Sequence, residues 1–310
     1  DKRGRLWIGT LNGLNHYQPS SDNFNTVAFA PGAKTTTRDR EISCLFEDSR
    51  GRIWAGTRNT LYLLNESSQL IPFNELTGHR FRFVNINCIY EENGTLWVGS
   101  DQGLARIREE GNQFSIQEIY NQDAGATKLV DNQVKTIAKD RNGQLWIGTA
   151  HRGIHLYDPV TNGFKKYVSP NQPASDHIRK LLVDRQGKLW IGTQEGLSMM
   201  DPVTRNINTY INDPWNPGSI SQNSVHSIYM DKTGSLWIGT FFGGVNSLAS
   251  YHTPFTVYST RSVPKLNNNV VSSIVRDNNN DLWIGTEGGG INRINKNGTV
   301  SYYTHNNNDP

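Results

Sequence analysis

Asp184-Arg185-Gln186-Gly187-Lys188-Leu189-Trp190-Ile191-Gly192-Thr193-Gln194-Glu195-Gly196-Leu197 is one copy of a pattern that returns along the whole chain. Its centre is a tryptophan followed by Ile, Ala or Val, then Gly, then Thr or Ser. It stands at Trp7, Trp54, Trp97, Trp146, Trp190, Trp237 and Trp283. The intervals are 47, 43, 49, 44, 47 and 46 residues, and seven of the eight tryptophans are used. A period in the forties marks a supersecondary unit that cannot bury its apolar surface alone and must stack on its neighbours.

Each unit resolves into four short strand-like pieces. The first carries two apolar residues three apart, as in Val134 and Ile137, Ile178 and Leu181, Val225 and Ile228, and Val271 and Ile274. An Asp-x-x-Gly turn follows (Asp140 to Gly143, Asp231 to Gly234), with Asp bonding its own backbone and Gly accepting the left-handed conformation. Asn280 takes the glycine's place in the last unit. The tryptophan segment is the second strand, and a turn usually ending in Gly leads to the third. The fourth reads aromatic-x-x-Tyr, as in Phe164 to Tyr167 and Phe255 to Tyr258, with Ile207 to Tyr210 and Val300 to Tyr303 as variants. Pieces of about five residues joined by tight turns predict antiparallel meanders. Four per unit at this period predict an all-β fold: a single seven-bladed β-propeller of four-stranded antiparallel blades over residues 1–310. No helical apolar period of useful length appears, which argues against a helical solenoid. The chain starts inside a second strand and stops just after a fourth. The first blade is therefore expected to lack a strand, and the sequence to be a piece of a longer protein. Two units depart from the pattern: Thr60 stands where Gly is expected, and the third unit has Glu91 and a first strand shifted by one residue.

Composition narrows the function. The chain is 35% hydrophobic and 10% aromatic, too apolar for a disordered segment. No run approaches the roughly 18 apolar residues of a membrane span. The opening Asp1-Lys2-Arg3-Gly4 shows no signal peptide, whether never present or removed. Net charge is +3, from 31 Lys and Arg against 28 Asp and Glu without blocks of one sign, which argues against a nucleic-acid partner. Cys44 and Cys88 hold matching places on adjacent first strands. They read as two buried thiols, or as a disulfide if their α-carbons come within about 7 Å. No Cys/His ligand spacing, Gly-x-Ser-x-Gly or phosphate-cradling loop occurs, so neither metal nor cofactor is expected. Gly288-Gly289-Gly290 reads as a hairpin turn, since no helix follows it.

The stretch from Asp184 to Leu197, with the linker Asp213-Pro214-Trp215-Asn216-Pro217-Gly218-Ser219-Ile220-Ser221, closely resembles the two-component regulator propeller repeat, over essentially the whole chain. The resemblance implies the extracytoplasmic sensor of a bacterial hybrid two-component system, periplasmic and anchored to the inner membrane, sensing oligosaccharide and relaying to a histidine kinase elsewhere in the protein. It implies neighbouring domains, including a second propeller, and a non-catalytic role for this one. A homodimer is a further partner expected on this reading.

Candidate site residues follow from where the copies differ. A tryptophan repeated in every unit implies a shared packing role rather than an aromatic cage. One carboxylate per Asp-x-x-Gly turn falls short of the six to eight oxygens calcium takes. The turns between second and third strands diverge: Arg58-Asn59, Asp101-Gln102, His151-Arg152, Gln194-Glu195, Phe241-Phe242 and Glu287, with one extra residue in units four, six and seven. If strands run outward from the axis in chain order, these turns share a rim with Arg40, Asn132, His177, Asn223, Asn268 and Asn269, just ahead of the first strands. Variable tips on a constant scaffold suit a binding surface. Asn, Arg and His offer multidentate hydrogen bonds to sugar hydroxyls, and Phe241, Phe242 and Trp215 offer stacking faces. The expected ligand set is Arg40, Arg58, Asn132, His151, Arg152, His177, Trp215, Asn223, Phe241, Phe242, Asn268 and Glu287. For each, the competing reading is a solvated loop residue or a contact with a neighbouring domain. The alternative function, a glycoside hydrolase or polysaccharide lyase, needs a carboxylate pair, and nothing in the sequence pairs the rim carboxylates Asp101, Glu195 and Glu287. A docking scaffold without a small ligand would instead need a flat, apolar rim.

Overall fold

In the computed structural model the tryptophan segments form strands packed on both faces. Ile53–Thr57, Leu145–Thr149, Leu189–Thr193 and Leu236–Thr240 are buried at every residue. The structure describes residues 1–310 except 34, 78–80, 112, 124, 126–128, 169–171, 217, 250–255 and 306–310. Phe255 and Pro217, part of the patterns above, lie outside the described residues.

The strands form seven sheets, six of them strictly in chain order, the blades of a seven-bladed β-propeller. Blade 1 has three strands, Trp7–Thr10, Gly13–Gln18 and Asn23–Thr26. Blades 3 to 7 have four each. Blade 2 has four plus Ala28–Phe29, which runs parallel to its fourth strand Gln69–Pro72. Helix among the described residues is limited to Thr37–Arg40 and Phe73–Thr77.

The chain divides into two compact units, residues 1–137 with 155–166, and residues 138–154 with 167–310. Within the first, Trp54, Leu61 and Leu63 of blade 2 pack against Ile86, Leu96 and Val98 of blade 3. Within the second, Trp190 and Leu197 of blade 5 meet Val225, Ile228 and Ile238 of blade 6. Trp237 and Val245 of blade 6 in turn meet Val271, Ile274 and Ile284 of blade 7.

Three positions of the repeat explain this packing. The glycine two places after the tryptophan leaves room for the next blade. A Cβ on Gly56 would lie 2.6 Å from Ile86 Cγ2, and one on Gly192 would lie 2.7 Å from Val225 Cγ1. The hydroxyl after it donates to a carbonyl three or four residues on at 2.8–3.1 Å in all seven blades, tying the second strand to the turn. The turn aspartate has two tasks. Its Oδ1 accepts the backbone N–H groups two and four residues on, and its Oδ2 accepts the indole N–H six residues on, at 2.8–3.0 Å in six blades. Both oxygens are thus occupied by protein donors, and the tryptophans are core: Trp54 and Trp146 are fully buried.

The two irregular units have physical causes. In blade 3 the strands Cys88–Glu92 and Thr95–Ser100 pair in the same register as elsewhere, Cys88 opposite Gly99. What changes is the turn. Asn93 and Gly94, with φ of 50° and 74°, make a two-residue type I′ hairpin one residue shorter than Asp-x-x-Gly. The apparent shift is a deletion in the turn. In blade 2, Thr60 accepts the same bonds from Thr57 that Gly accepts elsewhere, without the positive φ of Gly13, Gly103 or Gly196. Cys44 and Cys88 are not joined in a disulfide. They are half-buried rather than buried, since each packs toward the glycine of its own second strand at a blade-to-blade seam.

Candidate functional site

The turns between second and third strands bond directly to the linkers that lead into the first strands. Asn85 N–H donates to the Arg58 carbonyl at 2.9 Å, Gln194 to His177 at 3.1 Å, Phe241 to Ser224 at 2.9 Å and Glu287 to Val270 at 2.9 Å. Divergent turn residues and linker residues therefore lie side by side.

The twelve candidates fall into groups. The carbonyl of Asn132 accepts Gln122 N–H at 2.7 Å, and that of Asn223 accepts Asn212 N–H at 2.6 Å. Asn269 takes Thr260 N–H at 2.6 Å in the same way. These oxygens close the linker loops. Asn268 is engaged at both ends, donating to the Glu287 carbonyl and accepting Val270 N–H. Arg58 is ion-paired with Glu41. Arg40 and Arg152 are exposed, as is Glu287. The His151 and His177 rings lie 5.5 Å apart, edge to face. Trp215 is 93% exposed and Phe242 59%. Phe241 sits under Phe242, with ring centroids 4.2 Å apart at 75°.

A second set of residues escaped the sequence reading. The first strands of blades 2, 5, 6 and 7 break register after their first residue, between Ile42 and Cys44, Ile178 and Lys180, Val225 and Ser227, and Val271 and Ser273. Each bulge ejects one residue from the ladder: Ser43, Arg179, His226 and Ser272. Asn87 and Lys135 hold the same sequence position in blades 3 and 4. All six are polar, and that regularity was the available signal.

In the first unit this position is saturated. Asp101 Oδ1 receives Lys135 Nζ and Asn87 Nδ2, both at 2.9 Å, and its Oδ2 receives Asn85 Nδ2 at 2.7 Å. Burial alone would raise the Asp101 pKa, but Lys135 and the two amides outweigh it and hold the carboxyl below its ordinary range. It stays ionised at neutral pH and cannot serve as a proton donor.

The second unit is different. Ser272 ties back to its own blade through the Gly285 carbonyl at 3.1 Å. Arg179 and His226 instead reach each other, Arg179 Nη1 donating to His226 Nε2. The imidazole stacks on Phe241 at 5.0 Å and 22°. Burial, and then the Arg179 charge, lower the His226 pKa to about 4. The ring is therefore neutral, with Nε2 accepting and its proton on Nδ1. Burial also lowers the Arg179 pKa. Among the described residues no carboxylate pairs with Arg179, and no group of three or more His, Cys, Asp or Glu could hold a metal ion.

Five segments, residues 38–59, 128–151, 172–195, 219–242 and 265–288, match the family described as two component regulator propeller. Histidine kinase P4 of Formosa agariphila is 37% identical over 76 residues, covering 23% of this chain and 5% of the kinase. The extracellular domain of BT3049, assigned to the hybrid two-component systems of B. thetaiotaomicron, is 26% identical with a TM-score of 0.62. That match covers 97% of this chain and 39% of the ectodomain. Virginiamycin B lyase from Staphylococcus aureus superposes with a TM-score of 0.60 at 14% identity, covering 84% of this chain and 83% of the lyase, a likeness of fold alone.

Proposed function

From a chain built of two-component regulator propeller repeats and similar to the extracellular domain of a hybrid two-component system, we propose a non-catalytic sensor propeller whose blade tips receive an oligosaccharide. On this reading the domain is periplasmic, belongs to a protein anchored in the inner membrane, and works with neighbouring domains that carry the signal to a histidine kinase. The observation that carries the ligand class is the Phe241–Phe242 tip. It is the one aromatic pair among these turns, with Phe242 59% exposed. An exposed ring whose partner Phe241 stacks on an imidazole suits a pyranose, which offers C–H faces to aromatics and hydroxyls to polar groups. Signalling then requires the ligand to bind one arrangement of the neighbouring domains more tightly than another. The hydrolase or lyase alternative draws no support from Asp101, whose carboxyl is committed to Lys135.

The test is calorimetric titration of the wild-type chain and Phe242→Ala with neutral and charged oligosaccharides. At least one should bind the wild type and weaken tenfold or more in Phe242→Ala. Absence of binding by every sugar, or equal binding by the variant, would overturn the assignment.

A further inference from the structure

We propose that Arg179, His226 and the Phe241–Phe242 tip form a subsite for an acidic sugar residue, one bearing a carboxylate or a sulfate ester. The inference rests on the saccharide reading above and adds the charge of the ligand to it.

A guanidinium withdrawn from water is costly unless it is paired. Elsewhere in this chain partly buried arginines meet that cost with an acid: Arg5 with Asp1 at 2.7 Å, Arg52 with Asp48 at 2.6 Å and Glu109 at 2.9 Å, and Arg293 with Asp281 at 2.8 Å. Arg179 meets a neutral imidazole instead. Of its five N–H donors that contact engages one, on Nη1. Among the described residues the edge formed by Nε and Nη2 meets no partner, and it is the planar fork that matches the paired oxygens of a carboxylate or sulfate. His226 contributes a second donor, the proton on Nδ1. The Phe241 ring beneath the imidazole and the exposed Phe242 beside it supply the apolar face for the sugar that carries the anion.

The substitution pattern among the blades points the same way. At the bulge position blades 2 and 7 use serine, whose hydroxyl is taken up by backbone carbonyls, those of Gly56 and Ile86 for Ser43 and that of Gly285 for Ser272. Blade 4 uses Lys135, neutralised by Asp101. Only at Arg179 and His226 does this position carry long nitrogen donors with no acid among the described residues, and it does so beside the phenylalanine pair.

Binding is measured with length-matched uncharged, uronate and sulfated oligosaccharides of glucose and of galactose, on the wild type, Arg179→Gln and Arg179→Lys. At least one acidic ligand should bind the wild type tenfold or more tightly than its uncharged counterpart, and weaken as salt is raised. Arg179→Gln should abolish that advantage, and Arg179→Lys, a charge without the fork, should keep part of it. A preference for uronates or for sulfated sugars identifies the oxyanion. The comparison of acidic with neutral ligands is read on the wild type alone, so it stands even if a variant fails to fold. Acidic and neutral sugars binding alike, or a folded Arg179→Gln that keeps the preference, would overturn the inference. If a neutral sugar binds through Phe242 without any gain from charge, only this inference falls. If no sugar binds, both fall.

Discussion

Replacing Asp140 by Asn removes one charge and almost no volume, yet it should cost blade 4 far more than a surface change. Asp140 is 6% exposed and Trp146 fully buried. Oδ1 accepts Asn142 and Gln144 N–H, each at 2.9 Å, and Oδ2 accepts the Trp146 indole N–H at 2.9 Å. Asparagine can serve the two backbone donors with its carbonyl, but its amide then turns N–H groups toward the indole N–H. If it turns the other way, the turn amides lose their acceptor. Either orientation leaves a buried donor unmet and forfeits a charge-assisted bond, about 2–3 kcal/mol in all. At about 2.1 cal/mol/K of unfolding entropy per residue, a chain of 310 residues should melt about 3–5 °C lower. The decisive measurement is a double-mutant cycle with Trp146→Phe, followed by circular dichroism melts. Without an indole there is nothing for the amide to oppose. The Asp140→Asn cost should fall to about 1 kcal/mol in that background, leaving a coupling of about 1–2 kcal/mol. An equal cost in both backgrounds would refute the claim that the turn carboxylate is there to receive the tryptophan.

Gly192→Ala should destabilise by about 1–3 kcal/mol, because its Cβ would lie 2.7 Å from Val225 Cγ1; a melt of the double variant with Val225→Ala should recover most of the loss. Gly94→Ala places a side chain at φ +74° and should cost about 1–2 kcal/mol, readable by urea titration. Because burial and Arg179 lower the His226 pKa to about 4, the unfolded chain, with an ordinary histidine pKa of about 6.5, takes up the proton first. Stability relative to His226→Gln should therefore be fully present above about pH 6.5 and decline as pH falls toward 4. The loss is at most about 3 kcal/mol and nearer about 1 once solvent screening of the half-exposed ring is counted. Parallel melts of the two proteins across that window would contradict the assignment of a neutral, Arg-bonded imidazole.

The fold was legible because the repeat constrains every blade at once. Glycine, hydroxyl and tryptophan recur at fixed offsets, and their reasons, a close approach, a turn bond and a seam, are the same each time. The second task of the turn aspartate was legible in principle too, since Asp and Trp stand six residues apart in six units, though only the indole N–H explains that constancy. The blade 3 irregularity looked like a strand shift because strands were counted from the tryptophan. The pairing of Cys88 with Gly99 shows that Asn93-Gly94 shortened the turn. The rim asparagines Asn132 and Asn223 looked outward-facing from composition, whereas their carbonyls close linkers ten and eleven residues long, a backbone role that no side-chain pattern announces. Arg179 and His226 were passed over because they fall one residue inside an apolar strand pattern, where a bulge rather than the alternation decides which way a residue is free to reach.

That bulge separates inheritance of architecture from choice of chemistry. A residue ejected from the ladder is released from the pairing register, so Ser43, Arg179, His226 and Ser272 spell four interchangeable letters on an unchanging page. A lineage can rewrite one letter without disturbing the pairing of its neighbours. New specificities should therefore arise by single exchanges at this position, in steps small enough that no intermediate has to be less well folded than its parent.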